Sequence, residues 1–389
     1  MDDGAVLLRC LINGHTDREE EARILDLLRD APAGRLNAML AGVDVEELVE
    51  SVDDRLIGPD NRTRLLDLLC HRRVGELTTE SLANVLHAVQ AGPTGRQKEA
   101  AARAIVLSQR GEALTRLKEA ADAHADGHDL EGLVFSDIDD DAIRRDILAH
   151  IAAEAAPLGT LGVKVLSDID DTVFAVLHET RYPKGTLIPG ALAFYDALDA
   201  GPAAAPIART HVTFVTARPG DVFGLVEKFT LRSLRKAGID RASVLTGAFG
   251  ALLDKGDMAD KKLQNVAHMR ALFPEYETVF VGDSGQADPI VGARMVADHG
   301  ELVRAVFIHD VVATPAAERA AQAAKGLAYI DTFVGAAAIA HGRGLISPGG
   351  LAGVIAETRD GLDRVEWSSP EQESAMRALV ERDIAVAEG

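Results

Sequence analysis

The sequence is poor in cysteine and aromatic residues, and it has no long apolar run. Cys10 and Cys70 are the only cysteines in 389 residues. They form no CxxC pair and no even framework of bridges, so a disulfide scaffold is excluded and free thiols in a reducing compartment are expected. Aromatic residues make up 4% of the chain, no basic run occurs, and the formal net charge is −20. Such a balance repels nucleic acid and anionic headgroups unless a local basic patch or bridging cation intervenes, so no nucleic-acid partner is expected. No stretch approaches the roughly 18 apolar residues of a membrane span. Met1-Asp2-Asp3-Gly4 lacks the positive start and apolar core of a signal peptide, which makes the expected location cytoplasmic, with any membrane contact peripheral.

What is present falls into two parts, as the length predicts. Residues 1–156 read as all-α. Ala, Leu, Arg and Glu dominate, and apolar residues recur at helical spacing, as in Ile24, Leu25, Leu27 and Leu28. This part repeats internally, over about 13–90 and 91–155. Gly14-His15-Thr16-Asp17-Arg18 aligns with Gly92-Pro93-Thr94-Gly95-Arg96, and Val52-Asp53-Asp54 aligns with Ile138-Asp139-Asp140. The order of turns and helices in each copy resembles the annexin repeat, which implies calcium held by loop carbonyls and a downstream carboxylate at an acidic membrane surface. Asp53 and Asp54 are the carboxylates that could serve as such ligands. The alternative, a pair of helical repeats acting as a packing or interaction module, stays open.

Ala155-Ala156-Pro157-Leu158-Gly159-Thr160 is a small-residue link. Beyond it, short apolar strands at 163–167, 211–216, 243–246, 278–281 and 303–308 alternate with helical stretches such as 191–198 and 262–272. The pattern predicts an α/β domain over 157–350, a doubly wound parallel sheet with helices on both faces. Residues 351–389 read as a helical extension, with Ser369 as N-cap and Pro370 in the first turn.

The first strand ends in Ser167-Asp168-Ile169-Asp170-Asp171-Thr172, and open α/β sheets place their chemistry at the carboxyl ends of strands. Ser136-Asp137-Ile138-Asp139-Asp140 looks almost the same, but its repeat partner lacks the first aspartate. It is expected to begin a helix from about Ala142. Three later segments supply partners for the first motif: the strand ending at Thr216-Ala217-Arg218-Pro219, Lys262 with its competitor Lys261, and Gly282-Asp283 followed by Asp288.

In this order the segments resemble the four motifs of the haloacid dehalogenase superfamily, mostly magnesium-dependent phosphatases on a Rossmannoid sheet. The resemblance implies Asp168 as nucleophile, Asp170 as general acid and base, Thr216 as donor to the phosphoryl group, and Lys262 as its cation. It further implies Asp168, Asp283 and the Asp170 carbonyl as ligands of Mg²⁺, with Asp288 binding or orienting. Thr172 is expected to open a following helix and orient Asp170, and Asp171 to be a solvated turn residue. Arg218, Arg181 and Lys184 are candidates for phosphate or headgroup contacts. Short intervals between motifs predict a minimal cap, hence a site open to a bulky substrate.

Residues 160–350, with Gly-Asp-Ser-Gly-Gln-Ala-Asp-Pro and Ala305-Val306-Phe307-Ile308-His309-Asp310-Val311, are also similar to the catalytic domain of the actin-patch-protein type of phosphatidate phosphatase. Thr216-Ala217-Arg218-Pro219 departs from the Ser-Asn-Ser-Pro more common there. The expected activity is phosphomonoester hydrolysis, on phosphatidate at a membrane surface. The alternatives are a soluble phosphate ester, a phosphoprotein or a polynucleotide end, or a helical scaffold without catalysis.

Overall fold

The computed structural model describes residues 3–14, 16–52, 60–91, 95–122, 129–202, 211–219, 243–247 and 255–389. For 216–219, 243, 244, 246, 247 and 255 it describes the backbone alone. The chain divides into two units, Met1–Gly159 with Ala271–Pro274, and Thr160–Arg270 with Glu275–Gly389.

The described secondary structure of the first unit is helical, and six of its described helices begin on side-chain caps. Asp17 and Glu20 form a reciprocal capping box at the start of Arg18–Asp30, and Asp44 accepts the first free N–H groups of Val45–Ser51. One arginine clamp recurs in the two halves of this unit. Arg62 donates to the carbonyls of Val49 and Val52, at 3.2 and 3.1 Å, and Arg144 donates to those of Val134 and Ile138. The anchoring Val52 and Ile138 are fully buried. In the second copy Asp140 caps the helix Asp141–Ala155, so the Ser136–Asp140 motif closes a helix start. In the first half Asp60 caps the helix Asn61–Asp67. Asp53 and Asp54 lie outside the described residues.

The second unit contains a six-stranded sheet: β1 Val163–Ser167, β2 Thr213–Pro219, β3 Ser243–Gly247, β4 Glu277–Asp283, β5 Val303–His309 and β6 Leu327–Ile330. Their order is β3-β2-β1-β4-β5-β6, and every neighbouring pair is parallel. The sixth strand was not expected, because four residues show too little alternation to be distinguished from a loop. The sheet is covered on both sides. Phe307 of β5 meets Phe194 of the helix Ala191–Ala200 edge-on at 5.3 Å. Val306, which strand alternation points to the opposite face, lies where a Cβ on Gly292 of the helix Asp288–His299 would come within 2.5 Å.

The C-terminal segment, expected as a helical extension over 351–389, is helical and groups with this unit. Helix Pro348–Arg364 packs on Ala191–Ala200 and Phe333–Gly342, and helix Pro370–Glu388 packs on Phe333–Gly342. The burial of Val354, Leu362, Met376, Val380 and Ile384 explains why. Because β2 follows on one side of β1 and β4 lies on the other, the strand order reverses between β1 and β4. The carboxyl ends of these two strands therefore open a crevice, where such sheets bind ligands.

Candidate active site

Asp168 follows β1 directly, and its N–H donates to the Val281 carbonyl of β4 at 2.9 Å, which carries the ladder one residue past the strand. The residue is 3% exposed. The chain then turns sharply. Asp171 has φ +62°, a left-handed conformation that costs a non-glycine residue about 1–3 kcal/mol. What holds it there is a dense set of hydrogen bonds. The Asp171 carboxylate accepts the N–H groups of Val176, Leu177, His178 and Glu179 at 2.8, 2.8, 2.7 and 3.2 Å. Burial works to raise its pKa, but these four donors prevail and hold it below the usual carboxylate range. Asp171 is thus a fully buried loop organiser, contrary to the solvated turn residue expected.

The Asp171 carbonyl is also engaged. It lies 2.8 Å from His309 Nδ1, while Arg181 Nη2 lies 2.8 Å from His309 Nε2. Since a guanidinium only donates, Nε2 accepts and Nδ1–H donates to Asp171, which fixes a neutral tautomer. Burial first, then the Arg181 charge, lowers the His309 pKa in agreement. Arg181 also pairs with Glu179 and donates to the Asp331 carbonyl at 3.0 Å. It is a strut between loops and is not available as the phosphate contact expected. Lys184 is exposed.

Helix Lys255–Leu272 brings Lys262 into the crevice. Its Nζ is 2.7 Å from Asp168 Oδ1 and 2.5 Å from Asp288 Oδ1, and the side chain is 1% exposed. Lys261 instead reaches Gln264 on the surface, so the structure decides between the two lysines. Asp283 closes β4, and its Oδ1 accepts from the N–H groups of Gly285 and Gln286 at 2.6 and 3.1 Å. Asp288 Oδ2 accepts the Asp283 N–H at 3.1 Å. This close approach requires Gly282, where an added Cβ would lie 2.5 Å from Asp288 Oδ2.

Asp168, Asp283 and Asp288 each offer an oxygen within 4.8 Å of the others. Three buried carboxylates face one ammonium, and the electrostatics reflect the surplus. Burial, then Asp288 against an opposing Lys262, pushes Asp168 up to about 7. Burial, then Asp288 and Asp168, pushes Asp283 up to about 9. Burial works against the Lys262 charge, but Asp168 and Asp288 hold its pKa above the ordinary value. Asp168 Oδ2 is buried without a hydrogen-bond partner. Excess negative charge, oxygen donors and one orphaned oxygen together suit a hard divalent cation. Asp171, His178 and Asp283 form a second group of similar spacing. There the Asp171 oxygens are already filled by backbone donors, so the first group fits a cation better.

The structure therefore brings together Asp168, Lys262, Asp283 and Asp288. Asp170 is partly buried at the same turn and forms an isolated bridge with Phe174. Thr172 is fully buried, its Oγ1 has no hydrogen-bond partner, and a turn follows in place of the helix expected. Thr216 and Arg218 lie in β2 beside β1, but their side chains are outside the described set. Glu179 and His309 were given no role by the sequence, although His309 lies in a quoted strand. The one available signal was a histidine and an aspartate ending an apolar strand, at Ile308-His309-Asp310.

No curated protein and no solved structure matches this chain. Residues 163–310, from β1 to the residue after β5, match the family model described as phosphatidate phosphatase APP1, catalytic domain.

Proposed function

We propose that this chain is a magnesium-dependent phosphomonoester hydrolase of the haloacid dehalogenase type, with Asp168 as nucleophile and phosphatidate as substrate. The observation that carries the reading is the buried constellation of Lys262 between Asp168 and Asp288, with Asp283 alongside and Asp168 Oδ2 left unpartnered. The family match over 163–310 supplies the lipid substrate class.

Asp168 attacks phosphorus, forming an acyl phosphate as the ester P–O bond breaks. Asp170 gives its proton to the departing alcohol oxygen. Asp170 then takes a proton from water, which attacks the same phosphorus, releases inorganic phosphate and frees the Asp168 carboxylate. Lys262 holds Asp168 in place and offsets charge on the phosphoryl oxygens. Asp168, Asp283 and the Asp170 carbonyl would hold Mg²⁺, which when bound supplies Lewis-acid stabilisation of that charge. Asp288, occupied by Lys262 and the Asp283 N–H, orients these groups.

Phosphate release from phosphatidate in mixed micelles, with and without Mg²⁺, tests the reading. Release that depends on Mg²⁺ and vanishes in Asp168→Asn supports it, whereas equal release by the variant sinks it. The Thr216-Ala217-Arg218-Pro219 segment favours a second reading, the same chemistry on a water-soluble phosphate ester. Faster turnover of soluble esters than of phosphatidate would establish that alternative.

A further inference from the structure

Four large apolar side chains in the second unit are exposed among the described residues: Leu177, Ile290, Val312 and Val386, at 60, 41, 49 and 73%. Leu177 and Val312 lie on the loops that follow β1 and β5, and Ile290 lies in the first turn of the helix Asp288–His299 that follows β4, all at the carboxyl edge of the sheet where the Asp168 crevice opens. They stand on ordered backbone. Leu177 N–H donates to Asp171 Oδ1 at 2.8 Å, Ile290 N–H to the Ala287 carbonyl at 2.9 Å, and Val312 N–H to Ser284 Oγ at 3.3 Å. The three loops also adjoin one another. His178 lies against Gly285, where a Cβ would come within 2.6 Å of its ring, and Ser284 also accepts the N–H of Val311.

The charge of this face differs from that of the chain as a whole. Acidic residues outnumber basic ones 61 to 41. Across 174–178, 284–290 and 311–317 the sole carboxylate is Asp288, and it is fully buried; the next acid, Glu318 in the first turn of Ala316–Ala323, is exposed. A chain so acidic is repelled by an anionic lipid surface in most orientations. It can approach through those three segments, where no described acid is exposed, and apolar side chains there can sink into the boundary between headgroups and acyl chains.

We propose that Leu177, Ile290 and Val312 form a docking rim by which the catalytic unit itself seats on a phosphatidate-containing bilayer, presenting headgroup phosphates to Asp168. The inference rests on the phosphatase reading above and assigns the membrane contact to the catalytic unit, independently of the helical repeats. Among the described residues no helix is long and apolar enough to cross a membrane, and the rim requires only peripheral seating.

The test uses the full chain with phosphatidylcholine vesicles carrying a minority of phosphatidate. Wild type should sediment with them. A Leu177→Asp, Val312→Asp pair should weaken binding by about tenfold for each side chain removed from the lipid. Its turnover of vesicle phosphatidate should fall in step, while turnover of a water-soluble phosphomonoester stays within about twofold of wild type. The milder Leu177→Ser, Val312→Ser pair should shift the same way, which separates lost docking from misfolding. Val386→Asp, on the C-terminal helix and outside the three segments, should change neither measurement. Wild type that fails to sediment, or rim variants that bind and turn over vesicles as wild type does, would overturn the proposal. If soluble esters are hydrolysed but the rim is silent, docking fails and the phosphatase stands. If vesicles are bound through the rim and no ester is hydrolysed, the phosphatase reading fails and docking stands.

Discussion

Removing divalent metal should leave the folded protein with an acid-favoring stability that Asp283 controls. Its carboxyl is pushed up to about 9 by burial and by the Asp288 and Asp168 charges, whereas in the unfolded chain it titrates near the usual value of about 4. Between these limits the folded state binds one more proton than the unfolded state, so stability falls as pH rises. The slope is about 1.4 kcal/mol per pH unit for one proton. Asp168, raised to about 7, adds a slope of the same sign below that value. His309, whose pKa is lowered by burial, opposes it below about 6.5. Asp310 and Asp331 have lowered pKa values despite burial, because hydrogen bonds from Thr314, Ser284 and Arg319, and from Arg319 and Arg382, outweigh it. Their contributions are complete by about pH 5. The useful window is therefore pH 7–9, where Asp283 dominates; the Cys70 thiol, pushed up to about 12 by burial, adds a slope of the same sign only above about pH 8, where it ionises in the unfolded chain. Urea denaturation of chelator-treated protein across that window should show stability declining by about 1–1.4 kcal/mol per unit. Asp283→Asn should flatten the decline, as should saturating Mg²⁺. A metal-free protein with constant or rising stability from pH 7 to 9 would refute the account of a charge-crowded, cation-requiring cluster.

Three further outcomes are expected. Gly282→Ala forces a Cβ against the Asp288 carboxylate; it should lower stability by about 1–3 kcal/mol and weaken Mg²⁺ affinity, read by denaturation and metal titration. His309→Asn retains a donor near the Nδ1 position that holds the Asp171 carbonyl, whereas His309→Gln places its amide near Nε2. The Asn variant should keep kcat within a few-fold of wild type, while the Gln variant loses about tenfold or more; the reverse ranking would contradict the role given to that bond. Asp140→Ala removes the cap of Asp141–Ala155 and should cost about 1 kcal/mol in a melting or denaturant experiment, with phosphatase activity unchanged.

Much of the catalytic unit was legible because a buried parallel strand writes itself as a short apolar run. Val163–Ser167 and Val303–His309 are of this kind, and the acids after β1 and β4 mark the crevice. Leu327–Ile330 escaped because its four residues are too few to show a period. In the sequence Lys262 is preferred to Lys261 on the motif resemblance alone; the direction in which a helix presents each side chain is what places Lys262 beside Asp168. Asp171 was misread for a related reason. Its solvated appearance reflects what an acid in a turn usually does, whereas its burial depends on four N–H groups that converge only after the loop has folded. Arg181 likewise resembles a phosphate contact until Glu179, the Asp331 carbonyl and His309 take up its donors.

The central claim is that Asp168 is the atom donor to phosphorus, and trapping the covalent intermediate tests it most directly. Enzyme mixed with Mg²⁺ and phosphatidate labelled in its phosphate, then quenched in acid and digested, should carry the label on the peptide containing Asp168. The label should be released by hydroxylamine, as an acyl phosphate requires, and should be absent from Asp168→Asn. Steady turnover with no label on that peptide, or with label on another residue, would contradict the account.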